Sequence, residues 1–203
     1  MHKEVLNEEQ IKLLPLLQTF SSEFGLVGGT AIALQIGHRR SIDYDLFIDK
    51  SFDHDKVRNK IRQSYQIQNT LVENTEELTI VVNNVKLTFL TYPFEIDYSE
   101  TFENIIKLPN LSTLSAMKAF ALGKRAKWKD YVDLFFVFKE NKFSDITTRA
   151  KEIFGQEFNE KLFREQLSYY QDIDYSETID YLENKYVSDE EIKGFLSDIS
   201  IQE

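Results

Sequence analysis

Two aspartates one residue apart, Asp43 and Asp45, stand near the end of the stretch GLVGGTAIALQIGHRRSIDYDLFID, which runs from Gly25 to Asp49. On a strand, alternate side chains share a face, so both carboxylates point one way while Tyr44 and Leu46 point the other. Their backbones then lie about 7 Å apart, and the two charges repel unless a cation sits between them. A hard divalent ion, magnesium or manganese, suits that place because it combines carboxylate ligands with phosphate oxygens. Upstream, Gly28 and Gly29 carry no side chains and let a phosphate approach the backbone closely. The helix expected to begin near Thr30 adds free N–H groups and a positive dipole end. One stretch thus supplies a phosphate cradle and a metal-holding acid pair.

The elements that must position these residues follow from pattern. GLV reads as a short strand, TAIALQIG as a helix ended by Gly37, and SIDYDLFID alternates as a strand. Residues 7 to 24 read as a helix with Asn7 as N-cap and Pro15 kinking or splitting it. DHDKVRNKIRQSY is a surface helix, followed by the stretch YQIQNTLVE; ELTIVV and VKLTFLTY then flank Asn83-Asn84, a two-residue hairpin connection. After Pro109 the pattern turns helical, over about 112–123, 128–139, 144–154, 158–170, 176–185 and 188–199, the last with Ser188 and Glu191 as a capping box. The expected fold class is α+β: a mixed sheet with flanking helices over 1–108, then a helical domain over 109–203.

Composition bounds what the site can be. The chain has 203 residues, 42% hydrophobic and 13% aromatic, which is enough to bury a sizeable core. Zero cysteines exclude disulfides, thiolate catalysis and cysteine-ligated zinc, and three scattered histidines argue against a histidine-built metal centre. No apolar run reaches the roughly 18 residues of a membrane helix, and MHKEVLNEEQ lacks the apolar stretch of a signal peptide, so a soluble cytoplasmic protein is expected. Net charge is -10, yet residues 151–203 hold 14 acids against 5 bases, which leaves the first 150 nearly neutral. Bases gather at His38-Arg39-Arg40 and at Lys124, Arg125, Lys127 and Lys129, where each cluster is either a solvated face or a contact for an anionic partner.

Between Leu111 and Gly123 the one charged residue is Lys118, in a segment apolar all round and so buried on most sides. A buried ammonium needs a partner, which a core acid would provide. Asp130 and Asp133, three apart, share a helical face with Leu134 and Val137. They either cap the helix and pair with Lys118, Lys124 or Arg125, or one of them completes the active site.

Glycines, a helix, then Ser-x-Asp-x-Asp within some twenty residues resemble the signature of DNA polymerase beta-like nucleotidyltransferases. LSAMKAFALGKRAKWKDYVDLFFVF, from Leu114 to Phe138, is similar to the second conserved block of the AbiEii/AbiGii toxin family, the nucleotidyltransferase halves of bacterial abortive-infection and toxin–antitoxin pairs. The resemblance implies a metal-dependent enzyme that moves a nucleoside monophosphate from an NTP to an acceptor hydroxyl and releases pyrophosphate. It implies Asp43 and Asp45 as metal ligands, Gly28, Gly29, Thr30 and Ser41 at the nucleotide phosphates, and Lys118 and Arg125 as cations at the triphosphate. It implies transfer RNA as acceptor, reached through Arg39, Arg40 and Lys124 to Lys129, and a cognate antitoxin as partner in phage defence. In the wider superfamily a third acid on a neighbouring strand takes the proton of the attacking hydroxyl, whereas VKLTFLTY offers Thr88. By resemblance to the toxin family Asp133, or else Asp130, stands in. Other acceptors, a small molecule or a protein, share the front motif, and a nucleotide-holding pseudoenzyme would explain the missing acid.

Overall fold

Alternation along the strands divides the sheet into an apolar face and a polar one. The computed structural model describes residues 1–202. Its elements in order are α1 (Glu8–Lys12), α2 (Leu14–Phe20), β1 (Gly25–Val27), α3 (Gly28–Ile36), β2 (Tyr44–Ile48), α4 (His54–Arg62), β3 (Ile67–Glu73), β4 (Glu77–Val82), β5 (Val85–Thr91), β6 (Glu100–Phe102) and β7 (Ile106–Leu108). Five helices follow: α5 (Leu111–Leu122), α6 (Trp128–Phe138), α7 (Phe143–Phe154), α8 (Glu160–Ser168) and α9 (Asp189–Ser200). The main sheet runs β1-β2-β5-β4-β3, with β2 and β5 parallel and every other pair antiparallel, so it is mixed and the class is α+β.

Tyr44, Leu46, Ile80, Leu87 and Phe89 fill the apolar face and are buried. Phe20 and Phe24 meet Phe89 edge-on, with ring centroids 4.9 and 5.3 Å away. Asp45, Thr88 and Thr79 are register partners across β2, β5 and β4 and share the other face. Helix α5 lies over that face and is buried nearly all round, Ala116, Ala119 and Leu122 among its covered residues. Phe120 of α5 stacks on Phe154 of α7 at 4.0 Å. Buried residues from Val5 to Ile199 form one continuous apolar cluster, so both halves of the chain contribute to a single core.

Local chemistry sets the element ends. Asn7 and Gln10 exchange side-chain and backbone hydrogen bonds at the start of α1, and Pro15 falls in the first turn of α2, where a missing N–H costs nothing. The Asn83-Asn84 turn has φ of 49° and 60°, the left-handed pair that a two-residue hairpin demands. The structure departs from the sequence reading in two places. β6 and β7 form a small hairpin that no period announced. Residues 176–185 are not helical: they run as an extended strap, because the backbone finds partners elsewhere. Arg40 donates its N–H to the Asp180 carbonyl and Leu182 donates to the His38 carbonyl, bonds a helix would have spent internally. Among the described residues no helix is long and apolar enough to cross a membrane.

Candidate functional site

The turn from β1 into α3 places backbone directly against the acid pair. Gly28 has φ of +72°, a left-handed conformation, and a Cβ built there would land in the Asp45 carboxylate. A Cβ on Gly29 would stand 2.7 Å from Arg39 Nη2 and 3.2 Å from Ser41 Oγ. The two glycines are therefore each required by a separate neighbour. No side chain caps α3 among the described residues, so its first N–H groups stay available. The Thr30 hydroxyl donates to the Asp43 carbonyl and ties α3 to the entry of β2. Gly28→Ala is expected to cost roughly 1–2 kcal/mol for the left-handed backbone. It should also push Asp45 aside and slow any reaction that depends on the acid pair on the order of 100-fold. Thermal melting and initial rates check both, and a variant with normal rate would show the contact to be idle.

Asp43 and Asp45 meet different surroundings. Lys86, on β5, places its Nζ 2.6 Å from Asp43 Oδ2. The Asp45 carboxyl is pushed above its ordinary range by burial first and by the charge of Asp43 second, against the pull of Lys86, Arg125 and Lys118. Among the described residues Asp45, unlike Asp43, makes no ion pair of its own, so its carboxylate is left with charge to neutralise. The pair fits a magnesium or manganese ion that draws two ligands from the protein and the rest from phosphate and water. Among the described residues no group of three or more histidines, aspartates and glutamates stands together, so the protein alone offers no fuller cage.

Behind the glycine turn lies a buried ionic cluster. Arg39 donates side-on to Asp133, Nε to Oδ1 at 2.7 Å and Nη2 to Oδ2 at 2.9 Å. Lys118 bridges Asp130 at 2.8 Å and Asp133 at 2.9 Å, and His38 Nε2 lies 2.8 Å from Asp133 Oδ1. Arg125 reaches Asp130 at 3.2 Å from the solvent side. Burial pushes the Asp133 carboxyl up, but Arg39, Lys118 and His38 more than offset it and hold the group well below the usual carboxylate range. The same balance runs in reverse for Lys118: burial lowers its pKa, and Asp130 and then Asp133 overcome the effect, so it stays charged. His38 is held neutral mainly by burial, and its Nδ1 has no partner among the described residues.

These contacts correct two expectations. Arg39 is not a surface contact for RNA: only 4% of it is exposed, and its guanidinium braces Gly29 from behind. Asp133 is wholly buried with both oxygens engaged, a holding role rather than the proton-accepting one expected by resemblance. Asp130 is equally buried and engaged. Lys127 and Lys129 grip Glu177 of the strap at 2.8 and 2.5 Å, and their attraction overcomes the cost of burial to draw its carboxyl down to about 2. Lys124 is exposed, whereas Arg40 is half-buried and bonded to the Glu4 carbonyl and Asp180.

A cavity of about 550 Å³ opens beside Asp45. Gly28, Asp45, Lys86, Lys118 and Arg125 make one end polar, while Phe47, Leu90, Tyr92, Met117 and Phe120 line an apolar flank. Gly29, Thr30 and Ser41 sit behind this wall. Two lining groups escaped the sequence reading. Lys86 precedes Thr88 by two on an alternating strand, and Glu77 precedes Thr79 by two on the next. The period alone puts each on the face of Asp45, but only strand order reveals that these strands are neighbours.

Comparison with known proteins places this geometry. The family model described as the nucleotidyl transferase AbiEii toxin of a type IV toxin–antitoxin system matches residues 16–200. An uncharacterised protein of Aquifex aeolicus (strain VF5) is 27% identical over 124 residues, which span 59% of this chain and 60% of that protein. Among solved structures, the nucleotidyltransferase toxin MenT4 of Mycobacterium tuberculosis H37Rv superposes with a TM-score of 0.61 at 13% identity, covering 95% of this chain and 82% of that one. JHP933 of Helicobacter pylori gives 0.57 at 16% identity, covering 98% and 90%. At such identities the likeness is one of fold.

Proposed function

The chain belongs to the AbiEii nucleotidyltransferase toxin family, and from that premise we propose that it transfers a nucleoside monophosphate from an NTP to an acceptor hydroxyl, with pyrophosphate leaving. The observation that carries the reading is the backbone of Gly28 seated on the Asp45 carboxylate at the polar end of the cavity. Phosphates that meet the first N–H groups of α3 there lie beside the acid pair without further movement. Asp43 and Asp45 would hold a magnesium or manganese ion there, which would neutralise charge on the phosphates and on the leaving pyrophosphate.

The protein's own groups do the rest. Lys118 and Arg125 present positive charge to the triphosphate from the α5 side, oriented by Asp130 and Asp133. Ser41 and Arg39 brace Gly29, so the turn keeps its shape when the phosphates arrive. Phe47, Tyr92, Met117 and Phe120 give the base and sugar an apolar wall from which water is excluded. The acceptor is a transfer RNA in this reading, with exposed Lys124 and half-buried Arg40 meeting its backbone and affinity falling as salt rises. The enzyme works in the cytoplasm as the toxin of a phage-defence pair, restrained by a cognate antitoxin.

The test is direct. Purified protein incubated with each labelled NTP, magnesium or manganese and total RNA is expected to release pyrophosphate and to label RNA of transfer-RNA size. Release with a small molecule or a protein as the sole effective acceptor would replace the RNA. Triphosphate binding by calorimetry with no pyrophosphate from any acceptor would replace the enzyme with a nucleotide-holding protein.

A further inference from the structure

The cation that touches the acid pair is the protein's own. Lys86 stands on β5 two residues before Thr88, the register partner of Asp45, and its Nζ lies 2.6 Å from Asp43 Oδ2. The contact belongs to the cavity wall rather than to the core: 38% of the Lys86 side chain and 19% of the Asp43 side chain are exposed, and Lys86 lines the cavity together with Asp45. The other two cations at the polar end are pinned elsewhere. Lys118 is buried between Asp130 and Asp133, and Arg125 leans on Asp130. Neither loses its partner when a ligand enters, because Asp130 and Asp133 stand outside the cavity lining. Lys86 differs, because Asp43 is one of the two carboxylates proposed to hold a divalent ion. An ammonium and a divalent ion on one carboxylate repel each other, so the two compete for Asp43.

Resting on the nucleotidyltransferase reading, we propose that Lys86 is a resident counter-cation that changes partners during the cycle. It neutralises Asp43 while the site waits, gives way to the divalent ion, and then carries its charge to the NTP phosphates as a third cation beside Lys118 and Arg125. A lysine suits this exchange. Its ammonium is a point charge with three donors on a flexible four-carbon stem, and it turns readily from one oxyanion to another, whereas the planar fork of an arginine favours one fixed geometry. Gly28, against which the phosphates are read to sit, shares the polar end of the cavity with Lys86, so the ammonium moves between partners without leaving that end. The exchange also links two binding events. Lys86 must leave Asp43 before a free divalent ion is held there, and an NTP offers the ammonium a new partner. Metal and NTP therefore bind more tightly together than apart, with Lys86 carrying part of the coupling.

The experiment has two readouts, taken on the wild type, Lys86→Met and Lys124→Met. The first titrates each protein with manganese alone, without nucleotide, and follows the free ion by electron paramagnetic resonance. Lys86→Met is expected to bind manganese roughly tenfold more tightly than the wild type, since no ammonium has to leave Asp43. Lys124→Met removes a cavity charge that pairs with neither acid and should shift the affinity by less than about twofold. The second follows pyrophosphate release at saturating manganese with the four NTPs and total RNA. There kcat/KM of Lys86→Met should fall roughly 100-fold in spite of the tighter metal. Opposite signs in the two readouts are what the exchange requires, whereas a misfolded variant would weaken both. Manganese affinity in Lys86→Met no higher than in the wild type, or raised equally by Lys124→Met, overturns the resident counter-cation. Tighter manganese with undiminished kcat/KM overturns the hand-over to the phosphates and leaves the nucleotidyltransferase reading intact. Tighter manganese in Lys86→Met beside a wild type that releases no pyrophosphate overturns that reading, and the hand-over with it, while the pairing of Lys86 with the metal site stands.

Discussion

Asp45→Asn is expected to lower nucleotide transfer by about 1000-fold or more, some 4 kcal/mol of barrier, while making the metal-free protein no less stable. The two effects have one origin. The folded chain holds Asp45 half-buried beside Asp43, and its carboxyl is raised above the ordinary range. The unfolded chain releases that proton at the ordinary carboxylate pKa, and the folded chain keeps it to higher pH. Stability therefore falls as pH rises from the ordinary value through the raised one, and the ionised site at neutral pH is a strained resting state. Magnesium reverses the sign, since an ion bound by the folded chain alone adds stability that grows with its concentration. Melting temperature against pH, with and without magnesium, should thus diverge for the wild type and coincide for Asp45→Asn. Coincident curves in the wild type would mean that the acid pair holds no metal.

Asp133→Ala should be the most destabilising single change in the molecule, by ~3–5 kcal/mol, because it leaves Arg39 and Lys118 buried without their shared counter-charge. Against the ~5–15 kcal/mol that folds an ordinary domain, that is a large share. The loss belongs to the stranded cations rather than to the missing carboxylate. Arg39→Met combined with Asp133→Leu should then recover much of the stability while leaving Gly29 without its brace and the enzyme slow. Denaturant midpoints of the single and double variants decide it. A single variant as stable as the wild type would mean that water reaches the cluster.

Much of this arrangement was legible in the residues themselves, and the limits follow from range. The alternation in 44–48 puts Asp45 on the polar face because a strand's period is set by its own backbone. Asn83-Asn84 announces its hairpin for the same local reason, and the apolar girth of α5 announces burial. Arg39, in contrast, reads as one of three adjacent surface bases, and its true partner lies 94 residues away. Lys86 and Glu77 stood at visible periods, but the strand order that brings them to Asp45 is a tertiary fact. Residues 176–185 have helix-compatible composition, yet their backbone hydrogen bonds go to 38–40, a choice no window of neighbouring residues contains.

The span between Arg39 and Asp133 bears on how such a chain is made. A ribosome adding ~5–20 residues per second has delivered the glycine turn and both acids roughly 5–20 s before the aspartate that anchors their support. For most of that interval the growing polypeptide owns the glycine turn and the acid pair but lacks Lys118, Arg125 and the scaffold that would arm them. Translation that stops early leaves a harmless fragment, so a cell that makes this protein is exposed to it only in finished copies.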